Sequence, residues 1–161
     1  MEIHHMRFQA VLPGAPGETG VDCMNILIID AQGGGIGRAL VSGVRQALPD
    51  AVVTAVGANS AAAAAMLKAG AHHAATGENP VIVGCRTADV IAGPIGIVIA
   101  DALFGEITPA MAAAVGQSRA KRVLIPASHC GTVVAGTENK PVGWLVQEAV
   151  REIAEIGKTL L

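Results

Sequence analysis

A chain of 161 residues with a formal net charge of −2 and no run of Lys or Arg has no electrostatic surface for nucleic acid. Its 52% hydrophobic content excludes a disordered tail and suffices for one domain with its own core, and 2% aromatics with no Tyr leave that core to Ala, Val and Ile. Three Cys without CxxC or zinc-finger spacing, no secretory opening, and a longest apolar region (Val90 to Phe104) broken by Gly93, Pro94 and Asp101 point to a reduced cytoplasmic protein without membrane span, disulfide framework or metal site.

Residues Met1 to Asp22 contain glycines and prolines but no sustained period, and read as an extension outside the domain. Met24 stands just before the first strand, so translation starts at Met1 or at Met24. The domain is expected over 23–157, with 158–161 a tail.

The organising stretch is Asn25 to Arg38, NILIIDAQGGGIGR. Ile26, Leu27, Ile28 and Ile29 do not alternate with polar residues, as expected for a strand covered on both faces. The cluster Gly33, Gly34, Gly35 and Gly37 then allows a sharp turn and close approach to the main chain, and the helix that follows presents its unpaired N–H groups to an anion. This predicts a binding site made of Asp30, Gln32, Gly33, Gly34, Gly35, Ile36, Gly37 and Arg38. The alternative is a ligand-free glycine-rich connection. Against the dinucleotide fingerprint G-x-G-x-x-G, Gly33 and Gly35 match and Arg38 stands where the third glycine belongs. Against the short-chain dehydrogenase pattern G-x-x-x-G-x-G, Gly35 and Gly37 match and Ala31 holds the first position. Asp30 has two candidate roles, binding a ligand amine or hydroxyl, or fixing the loop through its N–H groups; the second is preferred.

Ile36 to Leu48 forms an amphipathic helix ended by Pro49, followed by a strand over Ala51 to Val56. That strand ends in Gly57, Ala58, Asn59 and Ser60, with no carboxylate to hold a ribose and no basic residue for a 2′-phosphate. Asn59 is a candidate ribose contact or a helix cap. Ser60 to Ala69 is an Ala-rich helix closed by Gly70 and slim enough to lie close to the sheet or to a twin helix. His72 to Ala75 is a short third strand, with one histidine in the core and one at the surface. Thr76, Gly77, Glu78 and Asn79 form a turn at the same sheet edge as the glycine loop and join the candidate site; Asn79 is alternatively a cap for a helix over Val81 to Ala88, with Pro80 at its first position.

Asp89 to Ala92 is the fourth strand. In Ile95 to Phe104 periodicity does not separate strand from helix, and a helix ending near Gly105 is the expectation taken. Thr108 caps a further helix with Pro109 at its first position, running to about Gln117. Lys121 to Pro126 is the fifth strand, Thr132 to Ala135 a short one, and Val142 to Ile156 an amphipathic helix covering the sheet. The whole is an α/β fold: a single Rossmann-like, doubly wound, mainly parallel sheet of about five to six strands flanked by helices.

The ligand edge of such a sheet also holds Cys130 and His129, a thiol and a base side by side, which define a candidate catalytic pair; the alternative, which is preferred, is a packed, inert Cys130 at a strand end. Cys85, in an apolar stretch, reads as core. Dehydrogenase chemistry of the short-chain type is excluded by the lack of Tyr, and a P-loop by the lack of G-K-[ST] after the glycines.

The stretches IIDAQGGGIGR, MLKAGAHHAATGEN, AGPIGIVIADALFGEITPAMA and KRVLIP resemble an uncharacterised family of small bacterial proteins, over about Met24 to Glu155, and more distantly the NAD(P)-binding Rossmann superfamily. The resemblance implies fold and extent and supplies no activity. Together these readings give a small cytoplasmic protein binding a nucleotide, an NAD(P)-like dinucleotide or another phosphorylated metabolite at the glycine loop, as an enzyme or as a non-catalytic sensor or assembly partner, with a homodimer as one way to complete an open site. A thiol-dependent enzyme using Cys130 and His129 is the other reading.

Overall fold

The computed structural model describes residues 23–126, 132–137 and 140–160. Five strands, β1 (Asn25–Asp30), β2 (Val52–Gly57), β3 (His73–Thr76), β4 (Val90–Pro94) and β5 (Lys121–Ile125), form one sheet in the order β3-β2-β1-β4-β5, and every neighbouring pair is parallel. Five α-helices alternate with them: α1 (Gly35–Ala47), α2 (Ser60–Lys68), α3 (Glu78–Gly84), α4 (Pro109–Gln117) and α5 (Val142–Leu160). This is the α/β doubly wound architecture expected from the sequence.

The two-sided burial of β1 explains its uninterrupted apolar run. Ile26 and Ile28 pack on one face with Leu40, Val41 and Val44 of α1, Met66 of α2 and Val146, Ala149 and Ile153 of α5. Leu27 and Ile29 point the other way, into a cluster with Val81 of α3 and Met111, Ala112 and Val115 of α4. Because successive strand side chains face opposite sides, a strand covered on both has no polar position to alternate with. Strand order reverses between β1 and β4, and the carboxyl ends of the strands at such a switch point are where ligands of open α/β sheets bind.

Local chemistry sets the element ends. Asn59 caps α2 by accepting from the Ala62 N–H at 2.9 Å, and Thr108 caps α4 by accepting from Met111 at 3.1 Å. Small residues set the spacing: a Cβ on Gly57 would stand 2.4 Å from the Ala63 nitrogen, so α2 lies on the end of β2 only because that residue is glycine.

Four expectations are corrected. No helix spans Ile95 to Gly105; a short 3-10 helix (Ile95–Val98) gives way to turns through Glu106, with Asp101, Leu103, Phe104 and Gly105 all at positive φ. A run that is apolar all round has no stripe to lay on the sheet, and here Ile97, Ala102, Leu103 and Ile107 are buried as a folded cap beside α4 while Phe104 is 93% exposed. Thr132 to Ala135 is not a strand. Helix α3 starts at Glu78 with Gly77, not Asn79, at its N-cap, since Pro80 in the first turn needs no N–H partner. Both His72 and His73 are exposed, and the His72 ring accepts a 3.0 Å hydrogen bond from the Val53 N–H.

At Gly93, opposite Ile29 in the sheet, a Cβ would fall 2.3 Å from the Ile29 carbonyl oxygen. Gly93→Ala is expected to destabilise the chain by about 1–3 kcal/mol through forced separation of β1 and β4. Urea unfolding monitored by circular dichroism reads this directly as a lower midpoint.

Candidate functional site

Asp30, the last residue of β1, is 5% exposed and holds both ends of the glycine loop. One carboxylate oxygen accepts from the N–H of Ala31 at 2.8 Å and the other from that of Gly37 at 2.6 Å. Burial pushes its carboxyl above the ordinary 3.8; the bonds from Gly37 and Ala31 oppose this, and the neighbouring Glu106 carboxylate adds to it. The strand end is thereby clamped to the first turn of α1.

The glycines divide into two kinds. Gly34 is the N-cap of α1 at φ 68°, and a Cβ there would stand 2.8 Å from the Ala62 Cα. Gly37 would press its Cβ to within 2.4 Å of the Met66 sulfur and 2.8 Å of the Asp30 Cβ. These two let α1 and α2 pack at the end of β1. Gly33 and Gly35 differ: both are exposed, neither has positive φ, and a Cβ on either meets nothing within 4 Å. Their N–H groups form no hydrogen bond among the described residues, whereas the Gly34 N–H is spent on the Ala31 carbonyl at 3.0 Å. The Ile36 N–H faces the Asp30 carboxylate. Arg38 is exposed on the outer side of the same turn.

Gln32 takes the left-handed conformation, φ 53°, uncommon for a residue with a side chain, and is held there from both sides. Its N–H donates to Oε2 of Glu106 at 3.1 Å and its carbonyl accepts from Nδ2 of Asn59 at 2.9 Å. Asn59 Nδ2 also donates to Glu106 Oε2, at 2.7 Å. With Oδ1 capping α2, the Asn59 amide has spent both hydrogens and one acceptor on the protein.

Glu106 is the residue that sequence reading missed. The end of β2 was expected to lack any carboxylate, and the structure corrects this: one arrives from the segment after β4, 74 positions beyond Gln32. No pattern around Glu106 marks it, because its placement depends on the turns at positions 99–107. That segment also reaches the far side of the site, where Thr108 Oγ1 donates to the Glu78 carboxylate. Glu78 is thus tied to the same cover. Gly77 donates its N–H to the Gly57 carbonyl at 2.9 Å, and Thr76 and Asn79 are exposed at the edge of the sheet. His129 and Cys130 lie outside the described residues. Cys85 is buried, with its thiol pushed up to about 11 by desolvation, which leaves it un-ionised and unreactive near neutral pH.

The profile of the family described as "Domain of unknown function (DUF3842)" matches residues 25–158. Among solved structures, a dodecameric FMN-dependent Ubix-like decarboxylase from Escherichia coli O157:H7 is similar at a TM-score of 0.42 and 19% identity, with 82% of this chain and 76% of that chain covered. No curated protein matches.

The two classes of glycine separate by stability. Gly34→Ala is expected to lose about 1–2 kcal/mol or more from the left-handed backbone alone, whereas Gly33→Ala should be neutral or stabilising by about 0.5 kcal/mol. Chemical denaturation of both variants tests the contrast.

Asp30 also carries a pH signature. A carboxyl that titrates above 3.8 in the folded chain binds its proton more tightly there than when unfolded, so its contribution to stability is full below pH 3.8 and is lost as pH rises through the folded value. The stability difference between the native chain and Asp30→Asn should therefore shift against the native chain over that interval, as read by urea unfolding across a pH series.

Proposed function

This chain belongs to the DUF3842 family, and we propose that it binds a nucleotide or another phosphorylated metabolite with a phosphate against the N–H groups of Gly33 and Gly35. The observation that supports this most is the pair of glycines that the fold does not need. A glycine costs about 0.5–1 kcal/mol in backbone entropy relative to alanine, and elsewhere in this loop the cost is matched by a left-handed turn or a close contact. At 33 and 35 neither exists. A bare main chain with free N–H groups is what a close-approaching anion requires, and Gly33 and Gly35 supply it outside the part of the first turn, Ile36 and Gly37, that Asp30 already occupies.

The neighbouring charges confine such a phosphate. Asp30 and Glu106 stand on the strand side of the loop and repel an anion there, while Gly33, Gly35 and Arg38 face outward. The favoured position is therefore over the outer rim of the loop, with the remainder of the ligand extending across the carboxyl ends of the strands. Dinucleotide, mononucleotide and sugar phosphate all satisfy this geometry.

Equilibrium binding to NAD, NADP, ATP and GTP tests the reading. At least one is expected to bind at submillimolar concentration, and Gly35→Val, whose Cβ meets nothing within 4 Å, should weaken that binding about tenfold or more with the chain still folded by thermal unfolding. Absence of binding by all four, and by ribose 5-phosphate, at millimolar levels overturns the proposal.

A further inference from the structure

The Glu106 carboxylate is held by one oxygen only. Oε2 takes both available donors, the Gln32 N–H and the Asn59 amide, while Oε1 has no hydrogen-bond partner among the described residues. The half-buried side chain is thus fixed in direction with an acceptor left over. Its position follows from register: Asp30 and Gly57 lie level at the ends of β1 and β2, and Gln32 and Asn59 each follow by two residues. The two donors therefore come from adjacent strand ends, and the carboxylate sits over the ends of β1 and β2, beside the glycine loop.

The contact is not what holds its own segment in place. Asp101 donates to the Ile107 carbonyl at 2.8 Å, Glu106 to the Leu103 carbonyl at 3.2 Å and Ile107 to the Ala102 carbonyl at 3.3 Å, and the Ile107 side chain is fully buried. The turns close on themselves, and the Glu106 side chain is directed outward from them onto the strand ends.

We infer that Glu106, positioned by Asn59, is a specificity residue of the site: it accepts the hydroxyls of a ribose whose 2′ and 3′ positions are both free. The inference rests on the phosphate reading of the glycine loop. A carboxylate oxygen accepts hydrogens and donates none when ionised, so it recognises O–H or N–H and rejects phosphate. Two N–H donors already offset part of the charge through Oε2, so the remaining oxygen is matched by neutral hydroxyls without a further cation. Vicinal cis hydroxyls present two O–H groups to one carboxylate, the geometry a ribose offers and a 2-deoxyribose lacks. A 2′-phosphate in the same place meets Glu106 directly and Asp30 behind it.

The test uses probes without a base, so that base recognition does not enter. Ribose 5-phosphate, 2-deoxyribose 5-phosphate and pyrophosphate are titrated into the native full-length chain and into Glu106→Ala. Amide resonances of Gly33 and Gly35 report the phosphate, and thermal unfolding confirms that the variant is folded. Native protein is expected to bind ribose 5-phosphate about tenfold more tightly than its 2-deoxy analogue, the size of a hydrogen bond to a charged acceptor. Glu106→Ala should erase that preference, with pyrophosphate bound as well as before or more tightly, since a negative charge beside the loop is lost. Equal binding of the two sugars, with pyrophosphate still shifting Gly33 and Gly35, overturns the hydroxyl inference and leaves the phosphate reading standing. A ribose preference that persists in Glu106→Ala overturns it too, because the hydroxyls would then be read by another group. No response to any probe at millimolar levels removes the phosphate reading and this inference together.

Discussion

A carboxylate enclosed at the end of the central strand, with each oxygen on a different backbone N–H, is the constraint from which the rest of this site follows. Asp30 links the residue leaving β1 to the third residue of α1, seven positions later. The loop between them closes over that span. An ionised carboxylate in a nearly dry position is costly unless hydrogen bonds and a favourable field offset its lost hydration. Two N–H donors and the positive end of α1 meet part of that cost, and burial still holds the carboxyl above its ordinary value. Among the described residues the N–H groups of Gly33 and Gly35 are left unspent, while those of Gln32 and Gly34 go to Glu106 and to the Ala31 carbonyl.

Around this clamp, small residues bring backbone close to backbone. Gly34 and Gly37 let α2 and Met66 close on the end of β1, Gly57 lets α2 meet β2, and Gly93 lets β4 pass Ile29. The packing leans on glycine and alanine where a core richer in aromatics would use bulk. Strand ends and helix starts are therefore gathered within a small volume at one edge. That gathering puts Gln32, Asn59 and Glu106 within hydrogen-bonding reach although the chain separates them by up to 74 positions.

Much of the architecture was legible in the residues themselves. The run Ile26 to Ile29 announced a strand buried on both faces, the stripe through Val41 and Val44 a helix on the sheet, and Asn59, Thr108 and Pro109 the starts of α2 and α4; each lies within a residue or two of where it was read. These features are local, and their causes lie within a turn or two of the chain. What could not be read was of another kind. The segment after β4 is apolar but for Asp101 and Glu106, so it shows no helical stripe, and its shape is decided by left-handed turns at Asp101, Leu103 and Phe104, of which Leu103 and Phe104 have no preference for them. Glu106 inherits that obscurity, since a side chain is placed only as well as the backbone that carries it. The glycine cluster was legible as a loop, but division into packing glycines and bare ones required the neighbours that only three dimensions supply.

The division also bears on descent. Gly34 and Gly37 are imposed by the fold, so any relative that keeps this packing of α1 on α2 inherits the demand whatever its business. Gly33 and Gly35 meet no described residue, and if the proposed phosphate is what keeps them bare, a lineage released from it is free to fill them with side chains at no structural penalty. The four positions thus amount to a record in two scripts, one kept by architecture and one kept by use, and a paralogue in which the second has drifted while the first endures is one that has changed its occupation.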